Sequence, residues 1–112
     1  MNVYFDSTKL KRLCEDPREA RKAFGDQVAK KLTLRINELI NAPALSHVPH
    51  TPPARLHQLS GHTEPTFAVV VHRGVRIVLK VGDVPIPYSE SGGVNKAAVH
   101  SVIITFVGDY HE

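Results

Sequence analysis

The sequence predicts a single α+β domain in which two N-terminal helices pack on a small twisted antiparallel sheet. Apolar residues recur at helical spacing up to about residue 41, whereas β-branched runs dominate residues 66–107. A chain of 112 residues, 42% of them hydrophobic, is long enough for one core but not for two. We therefore treat residues 1–112 as one domain.

The first predicted elements are a short strand and a short helix. Residues 2–5, NVYF, are β-prone, and Asp6 and Ser7 are good helix caps that end this stretch. The first helix should cover residues 8–15, with Cys14 on its apolar side. A single cysteine cannot form an internal disulfide, so Cys14 is predicted to be a small buried thiol in a reducing compartment.

A second helix is predicted to begin at Asp16 and to run to Asn41. Asp16 is a favourable N-cap, Pro17 occupies the first helical position, and Glu19 can complete a capping box. Gly25-Asp26 leaves two alternatives open, one long helix or two shorter ones. The basic residues of this region are expected to stay in water, opposite the apolar stripe; they are Lys22, Lys30, Lys31 and Arg35.

The second half of the chain changes to strands. Residues 42–54 contain four prolines and predict a stiff, extended connector. Arg73-Gly74 is the expected two-residue turn of a hairpin between TFAVVVH and VRIVLKV. Residues 82–98 read as a polar loop rich in glycine, proline and serine, and residues 100–107 as the final strand.

A regular hairpin about this turn pairs residues whose numbers sum to 147, which places Val71 opposite Arg76. Arg76 and Lys80 then lie on the open face of the sheet. The uncharged face, expected under the helices, contains Ala68, Val70, Ile77, Leu79 and Val81.

The seven histidines do not predict a metal site, and the sequence has no segment long and apolar enough to cross a membrane. His47, His50, His57 and His62 lie in or near the proline-rich region, but no cysteine pair accompanies them. We expect no metal or other cofactor. A net charge of +3 is compatible with a polyanionic partner but is common in proteins without one.

Two segments resemble a known family. RLHQLSGHTEPTFAVVVHRGVRIVLKV, followed by a final strand ending in DYH, resembles the RelE/ParE toxin superfamily and, within it, the HigB-type toxins of plasmid maintenance systems. AKKLTLRINELINAPAL is similar to the second helix of that family, so the resemblance covers about residues 27–111. It implies a RelE-like fold and a cytoplasmic bacterial toxin that cleaves messenger RNA on the ribosome without a metal.

The same resemblance implies partners. These are the ribosome and its messenger RNA, and a cognate antitoxin, expected to be a helix-turn-helix protein encoded nearby. Toxin and antitoxin would form a hetero-oligomer, in which an acidic antitoxin segment suits the basic helical face.

Position by position, the resemblance implies a site made of His57, Arg76, Asp109, Tyr110 and His111, with Arg55, Arg73 and Lys80 as RNA-binding residues. Metal-free cleavage needs a base for the 2′-hydroxyl, a cation for the phosphorane and an acid for the leaving 5′-oxygen. Histidine suits either proton-transfer role, and arginine grips two phosphate oxygens. Whether His57 or His111 is the base stays open.

This chain departs from the family pattern at Ser60, where relatives carry a lysine, and at Val75, where an aromatic residue often precedes the arginine. Two alternatives therefore accompany the endoribonuclease: a ParE-like inhibitor of DNA gyrase, and a non-catalytic relative that only binds an antitoxin. Strand parity adds a further expectation. Asp109 and His111 should lie on one side of the last strand and Tyr110 on the other, unless Gly108 introduces a bulge.

Overall fold

Three helices cover one face of a five-stranded sheet in a computed structural model that describes residues 1–110. The helices are α1 (Thr8–Glu15), α2 (Pro17–Phe24) and α3 (Asp26–Asn41), and the strands are β1 (Asn2–Phe5), β2 (His57–Gln58), β3 (Thr66–His72), β4 (Val75–Val81) and β5 (Ser101–Asp109). Helices α1 and α3 contact the sheet, and α2 packs on both. Short 3₁₀ turns at Leu45–His47 and Lys96–Ala98 lie outside the N-terminal helical region. No helix within residues 1–110 is long and apolar enough to cross a membrane.

The predicted α+β architecture is confirmed, but its sheet is mixed rather than antiparallel. The strand order is β1-β5-β4-β3-β2, and β1 runs parallel to β5 while the other neighbours are antiparallel. No hairpin turn fixes the direction of β1, because three helices separate it from the other strands. The Arg73-Gly74 turn between β3 and β4 lies where the sequence predicts it.

The helices begin at the predicted caps, but there are three of them rather than two. Ser7 Oγ accepts a hydrogen bond from the Leu10 N–H at 3.1 Å, and Asp16 Oδ1 accepts one from the Arg18 N–H at 2.9 Å. Gly25 separates α2 from α3 with φ 85° and ψ 171°, a conformation that only glycine adopts readily. The alternative with two shorter helices is therefore the correct one.

Arg35 is buried, contrary to the prediction that it stays in water. Its side chain is 3% exposed, its Nε donates to the Val70 carbonyl at 2.9 Å, and its Nη1 donates to Glu38 Oε1 at 2.7 Å. Arg35 lies three residues after Leu32 and four before Leu39, on the buried stripe of α3. The basic side chain thus ties α3 to β3.

The predicted register of the hairpin is wrong on one strand because of a β-bulge. Val70 pairs with Arg76 and His72 with Val75, so Val71 is an extra residue on β3. The bulge moves Phe67, Val69 and Val71 to the helix-covered face and leaves Ala68 and Val70 on the open face. On β4 the predicted faces are correct, with Ile77, Leu79 and Val81 in the core.

A second bulge lies in β5. Val78 pairs with Phe106 and Leu79 with Ile104, so Thr105 is the extra residue. Val102 and Ile104 face the helices before the bulge, and Val107 faces them after it. Phe106 and Gly108 consequently share the open face with their partners Val78 and Arg76.

Candidate active site

A cleft of about 660 Å³ opens on the face of the sheet that the helices do not cover. Its polar lining consists of His50, Arg55, His57, Arg76 and Tyr110, and Ala68 and Val70 contribute apolar wall. The sequence analysis singled out all of these polar residues except His50. They come from three separate parts of the chain, so the fold assembles the cleft.

The proline-rich segment forms a compact loop, not the extended connector that the sequence predicts. The Leu56 N–H donates to the Pro49 carbonyl at 2.9 Å, and the Arg55 N–H donates to the Thr51 carbonyl at 3.0 Å. The Val70 N–H donates to the Ala54 carbonyl at 2.7 Å and so fastens the loop to β3. These backbone hydrogen bonds close the chain on itself and hold His50 and Arg55 at one wall of the cleft.

His57 is exposed on β2 and has a defined tautomer. Its Nδ1 lies 2.8 Å from the Arg55 carbonyl oxygen. A carbonyl can only accept a hydrogen bond, so Nδ1 carries the proton. The neutral imidazole then has its acceptor lone pair on Nε2, the arrangement a general base requires.

Arg76 lies in the middle of the open face and is held by the hairpin turn. It pairs with Val70 on one side and with Gly108 on the other. Its Nη1 donates to the Arg73 carbonyl at 2.7 Å and makes a longer contact of 3.4 Å with the Val75 carbonyl. Arg76 also lines the cleft, so a permanently charged guanidinium, held at Nη1, lies beside the space that a ligand would occupy.

Tyr110 closes the cleft on the β5 side. Its ring packs on Leu59, Ala68 and Val78, and its hydroxyl lies 3.2 Å from His62 Nε2. The bulge at Thr105, and not one at Gly108, brings Tyr110 to the same face as Arg76.

Asp109 does not line the cleft. It pairs with Val75, and its carboxylate lies beside Gly74, where an added Cβ would be 2.4 Å from Asp109 Oδ1. The predicted site residue His111 lies outside the described residues.

Two predicted RNA-binding residues also lie outside the cleft. The side chain of Arg73 is exposed at the hairpin turn, where its φ is 54°. Lys80 shares the open face with Arg76 but is four residues away, about 13 Å along the strand. Its Nζ lies 3.7 Å from Glu64 Oε2, so this ammonium group already has a counter-charge. Of the predicted RNA-binding residues, Arg55 alone lines the cleft.

His50 and His62 belong to the surroundings of the cleft but are not among the predicted site residues: His50 lines the cleft, and His62 contacts the hydroxyl of Tyr110. In the sequence, their spacing to His47 and His57 suggests only a metal pattern. Within residues 1–110 the structure has no group of three His, Cys, Asp or Glu side chains arranged to hold a metal ion. The sequence signal that could have placed them near the cleft is their position on either side of the RLH segment. The loops that contain His50 and His62 fold back on β3.

Comparison with known proteins supports the fold. No family model and no curated protein matches the sequence. Among solved structures, the chain is similar to the YoeB dimer from Staphylococcus aureus, with a TM-score of 0.57 and 13% sequence identity. The similarity covers 100% of this chain and 98% of that one, so it extends over the whole fold. At 13% identity the similarity shows the fold alone and does not show the activity.

Proposed function

We propose that the chain is the toxin of a type II toxin-antitoxin system and cleaves messenger RNA on the ribosome. One observation carries the proposal: His57, Arg76 and Tyr110, from three distant segments that resemble HigB-type toxins, line the same cleft. The similarity to YoeB is compatible with this assignment. A cytoplasmic location and an antitoxin partner belong to the same proposal.

The cleft suits a transesterification by the substrate's own 2′-hydroxyl. His57 Nε2 takes the 2′-hydroxyl proton, the 2′-oxygen attacks phosphorus, and the bond to the 5′-oxygen breaks. Arg76 stabilises the negative charge that grows on the phosphorane oxygens. The products are a 2′,3′-cyclic phosphate and a 5′-hydroxyl, once an acid has protonated the leaving oxygen. His50, which lines the cleft, joins His111 as a candidate for that acid.

Arg55 supplies a second positive charge in the cleft, in place of the lysine that similar toxins carry at the position of Ser60. It lines the cleft from the proline-rich loop, and its φ of 50° is stabilised by the hydrogen bond from its N–H to the Thr51 carbonyl. The combination of Arg55 and Arg76 gives the cleft two permanent positive charges. This supports binding of a phosphodiester in spite of the missing lysine.

The test is the cleavage of messenger RNA on programmed ribosomes under single-turnover conditions, with mapping of the new RNA ends. We expect Arg76→Ala to reduce the rate about 10²- to 10³-fold, the usual loss when one transition-state charge partner is removed. Arg18→Ala is the matched control, because this arginine of α2 is 81% exposed and remote from the cleft. Cleavage by Arg76→Ala at the rate of the control would contradict the role of Arg76, and absence of cleavage by the wild-type protein would contradict the nuclease.

Induced expression in cells, with mapping of RNA ends, separates the two alternatives. Growth arrest with intact messenger RNA and blocked DNA supercoiling would favour the gyrase inhibitor. Normal growth on induction, with no RNA cleavage, would favour a relative that only binds an antitoxin.

A further inference from the structure

Phe106 is an exposed aromatic residue on the open face of the sheet, next to the cleft. Its side chain is 41% exposed, although it lies inside β5 and its neighbours Thr105 and Val107 are partly or fully buried. It pairs with Val78, whose side chain belongs to the small apolar cluster under Tyr110. A single exposed apolar residue needs no explanation by itself, but this ring adjoins the apolar cluster under Tyr110 at the edge of the cleft.

The ring of Phe106 extends along β5 toward Tyr110. An added Cβ on Gly108 would lie 2.9 Å from Phe106 Cζ, so the ring covers this glycine. The ring centroids of Phe106 and Tyr110 are 6.1 Å apart with an interplanar angle of 57°. Gly108 thus permits two aromatic rings to form one continuous surface beside the cleft.

This aromatic surface adjoins the proposed phosphate-binding arginine. Gly108, which the Phe106 ring covers, is the direct cross-strand partner of Arg76. Arg76 and Tyr110 also line the same cleft, and the Phe106 ring lies beside that of Tyr110. A nucleotide whose phosphate contacts Arg76 can therefore place its base on this pair of rings.

We propose that Phe106 and Tyr110 form a stacking subsite for a nucleobase of single-stranded RNA, next to the phosphate held by Arg76. The inference rests on the proposed function and assigns a substrate contact to Phe106, which lies outside the residues implied by the DYH motif. Aromatic rings bind bases through their π-faces with little sequence preference, and a neighbouring cation holds the backbone. A polar or charged partner surface would not require an exposed apolar ring here.

A tryptophan at position 106 is a direct reporter, because the sequence has no tryptophan. We expect the fluorescence of Phe106→Trp to be quenched by hexaadenylate at low salt, and to be unchanged by an abasic hexamer with the same phosphates. Binding of both oligonucleotides is followed independently by the anisotropy of a terminal dye. Tyr88→Trp is the control, since this ring is 55% exposed but lies in the loop between β4 and β5, and its fluorescence should not respond.

A second variant measures the contribution of the ring. Phe106→Leu keeps an apolar side chain without a π-face, and it should weaken hexaadenylate binding about tenfold while binding of the abasic hexamer stays the same. Phe106→Tyr should restore wild-type binding. Circular dichroism of each variant verifies that it is folded.

Three outcomes would overturn the subsite: equal quenching by the abasic hexamer, hexaadenylate binding without quenching, or full affinity in Phe106→Leu. Cleavage on programmed ribosomes by the wild-type protein distinguishes this failure from failure of the proposed function. Cleavage without base-dependent quenching removes only the subsite. Base-dependent quenching without cleavage supports the subsite and contradicts the nuclease.

Discussion

Val70 is the residue that connects the cleft to the helices. Its side chain lines the cleft, and its N–H donates to the Ala54 carbonyl of the proline-rich loop. Its carbonyl accepts the hydrogen bond from Arg35 Nε, and Arg76 is its partner across the sheet. A change in α3 can therefore reach the face of the cleft through one backbone position.

Replacement of Arg35 by alanine should lower the free energy of unfolding by about 2–3 kcal/mol. The substitution leaves the Val70 carbonyl without its charged donor and removes the partner of Glu38. Urea unfolding measures the loss. Lys30→Ala, at an exposed position of the same helix, should change stability by about 0.5 kcal/mol or less. Equal stability of the two variants would contradict the structural role of Arg35.

Cys14 should be inert in the folded protein. Burial, with a smaller contribution from Glu15, raises the pKa of the Cys14 thiol from 9.0 to about 12. A shift of this size reduces the thiolate fraction at pH 8 about a thousandfold. Mass spectrometry after iodoacetamide treatment should detect alkylation only when denaturant is present. Rapid alkylation of the native chain would show that α1 opens readily.

The lining of the cleft was partly predictable from sequence. His57, Arg76 and Tyr110, which line it, belong to short motifs whose order resembles that of a known family. Arg35 was assigned to solvent because its charge was given more weight than its position, although its spacing from Leu32 and Leu39 places it on the buried stripe. His50 was missed as a cleft residue, since hydrogen bonds of the loop backbone bring it there and leave no pattern in the side chains.

Gly25 determines how α2 and α3 are joined. Gly25 is the C-cap of α2, and its N–H donates a hydrogen bond to the Arg21 carbonyl at 2.8 Å. The same residue is the N-cap of α3. Its φ of 85° with ψ of 171° changes the chain direction between the two helices. The junction depends on a backbone conformation and not on a side-chain contact.

Gly25→Ala should therefore cost about 1–3 kcal/mol of unfolding free energy, entirely through backbone strain. An added Cβ would meet nothing within 4 Å, so a steric clash does not contribute. Gly93→Ala is the matched control, because its Cβ also meets nothing and its φ is not positive. Thermal or urea unfolding should find the control neutral or slightly stabilised. A neutral Gly25→Ala would mean that the break between the helices does not need glycine.

Element types were easier to predict than their registers. Caps at Ser7 and Asp16 and the Arg73-Gly74 turn are local signals, and the structure confirms them. The bulges at Val71 and Thr105 have no such signal, because one β-branched residue among several can be the extra one. Each bulge reverses the alternation of faces. In β3 this places the predicted core residues Ala68 and Val70 on the open face, whereas in β5 the expected separation of Asp109 and Tyr110 onto opposite faces agrees with the structure.

Asp83 fastens the long loop between β4 and β5 to the start of β5. Its Oδ1 accepts hydrogen bonds from the Ser101 N–H at 2.9 Å and from the Ser101 hydroxyl at 3.0 Å, and the His100 N–H contacts both carboxylate oxygens at 3.1 Å. Burial raises the pKa of Asp83, but these hydrogen bonds outweigh burial and hold the pKa below 3.8. The carboxylate thus stabilises the closed loop when it is ionised.

The stability of the molecule should depend on Asp83 in acid. A carboxyl group with a lowered pKa in the folded state contributes fully above its unfolded pKa, near 3.8, and loses this contribution as the pH falls through the lower folded value. Asp83→Asn should be less stable than wild type by about 1 kcal/mol at pH 7, because solvent screens this partly exposed group. Urea unfolding at pH 7 and at pH 2.5 should find the difference smaller in acid. A constant difference would contradict the role of the charge.

The architecture of the whole molecule was predicted correctly at the level of α+β class and of a RelE-like fold. The position of β1 was not, because its parallel pairing with β5 joins residues about a hundred positions apart and depends on the path of three helices. Periodicity describes neighbours along the chain. It contains no information on which edge of the sheet a separate strand will take.

The bulge at Thr105 decides which side chains of the tail face the cleft. Phe106, Gly108 and Tyr110 do so because Thr105 is accommodated as an extra residue before them in β5. If Thr105 paired regularly instead, the same sequence would turn Val107 and Asp109 to the cleft. Deletion of Thr105 would leave a regular strand with Phe106, Gly108 and Tyr110 still on the open face, so a one-residue gap at this place in a similar sequence is compatible with the same cleft lining, whereas a one-residue insertion or deletion after Phe106 is not.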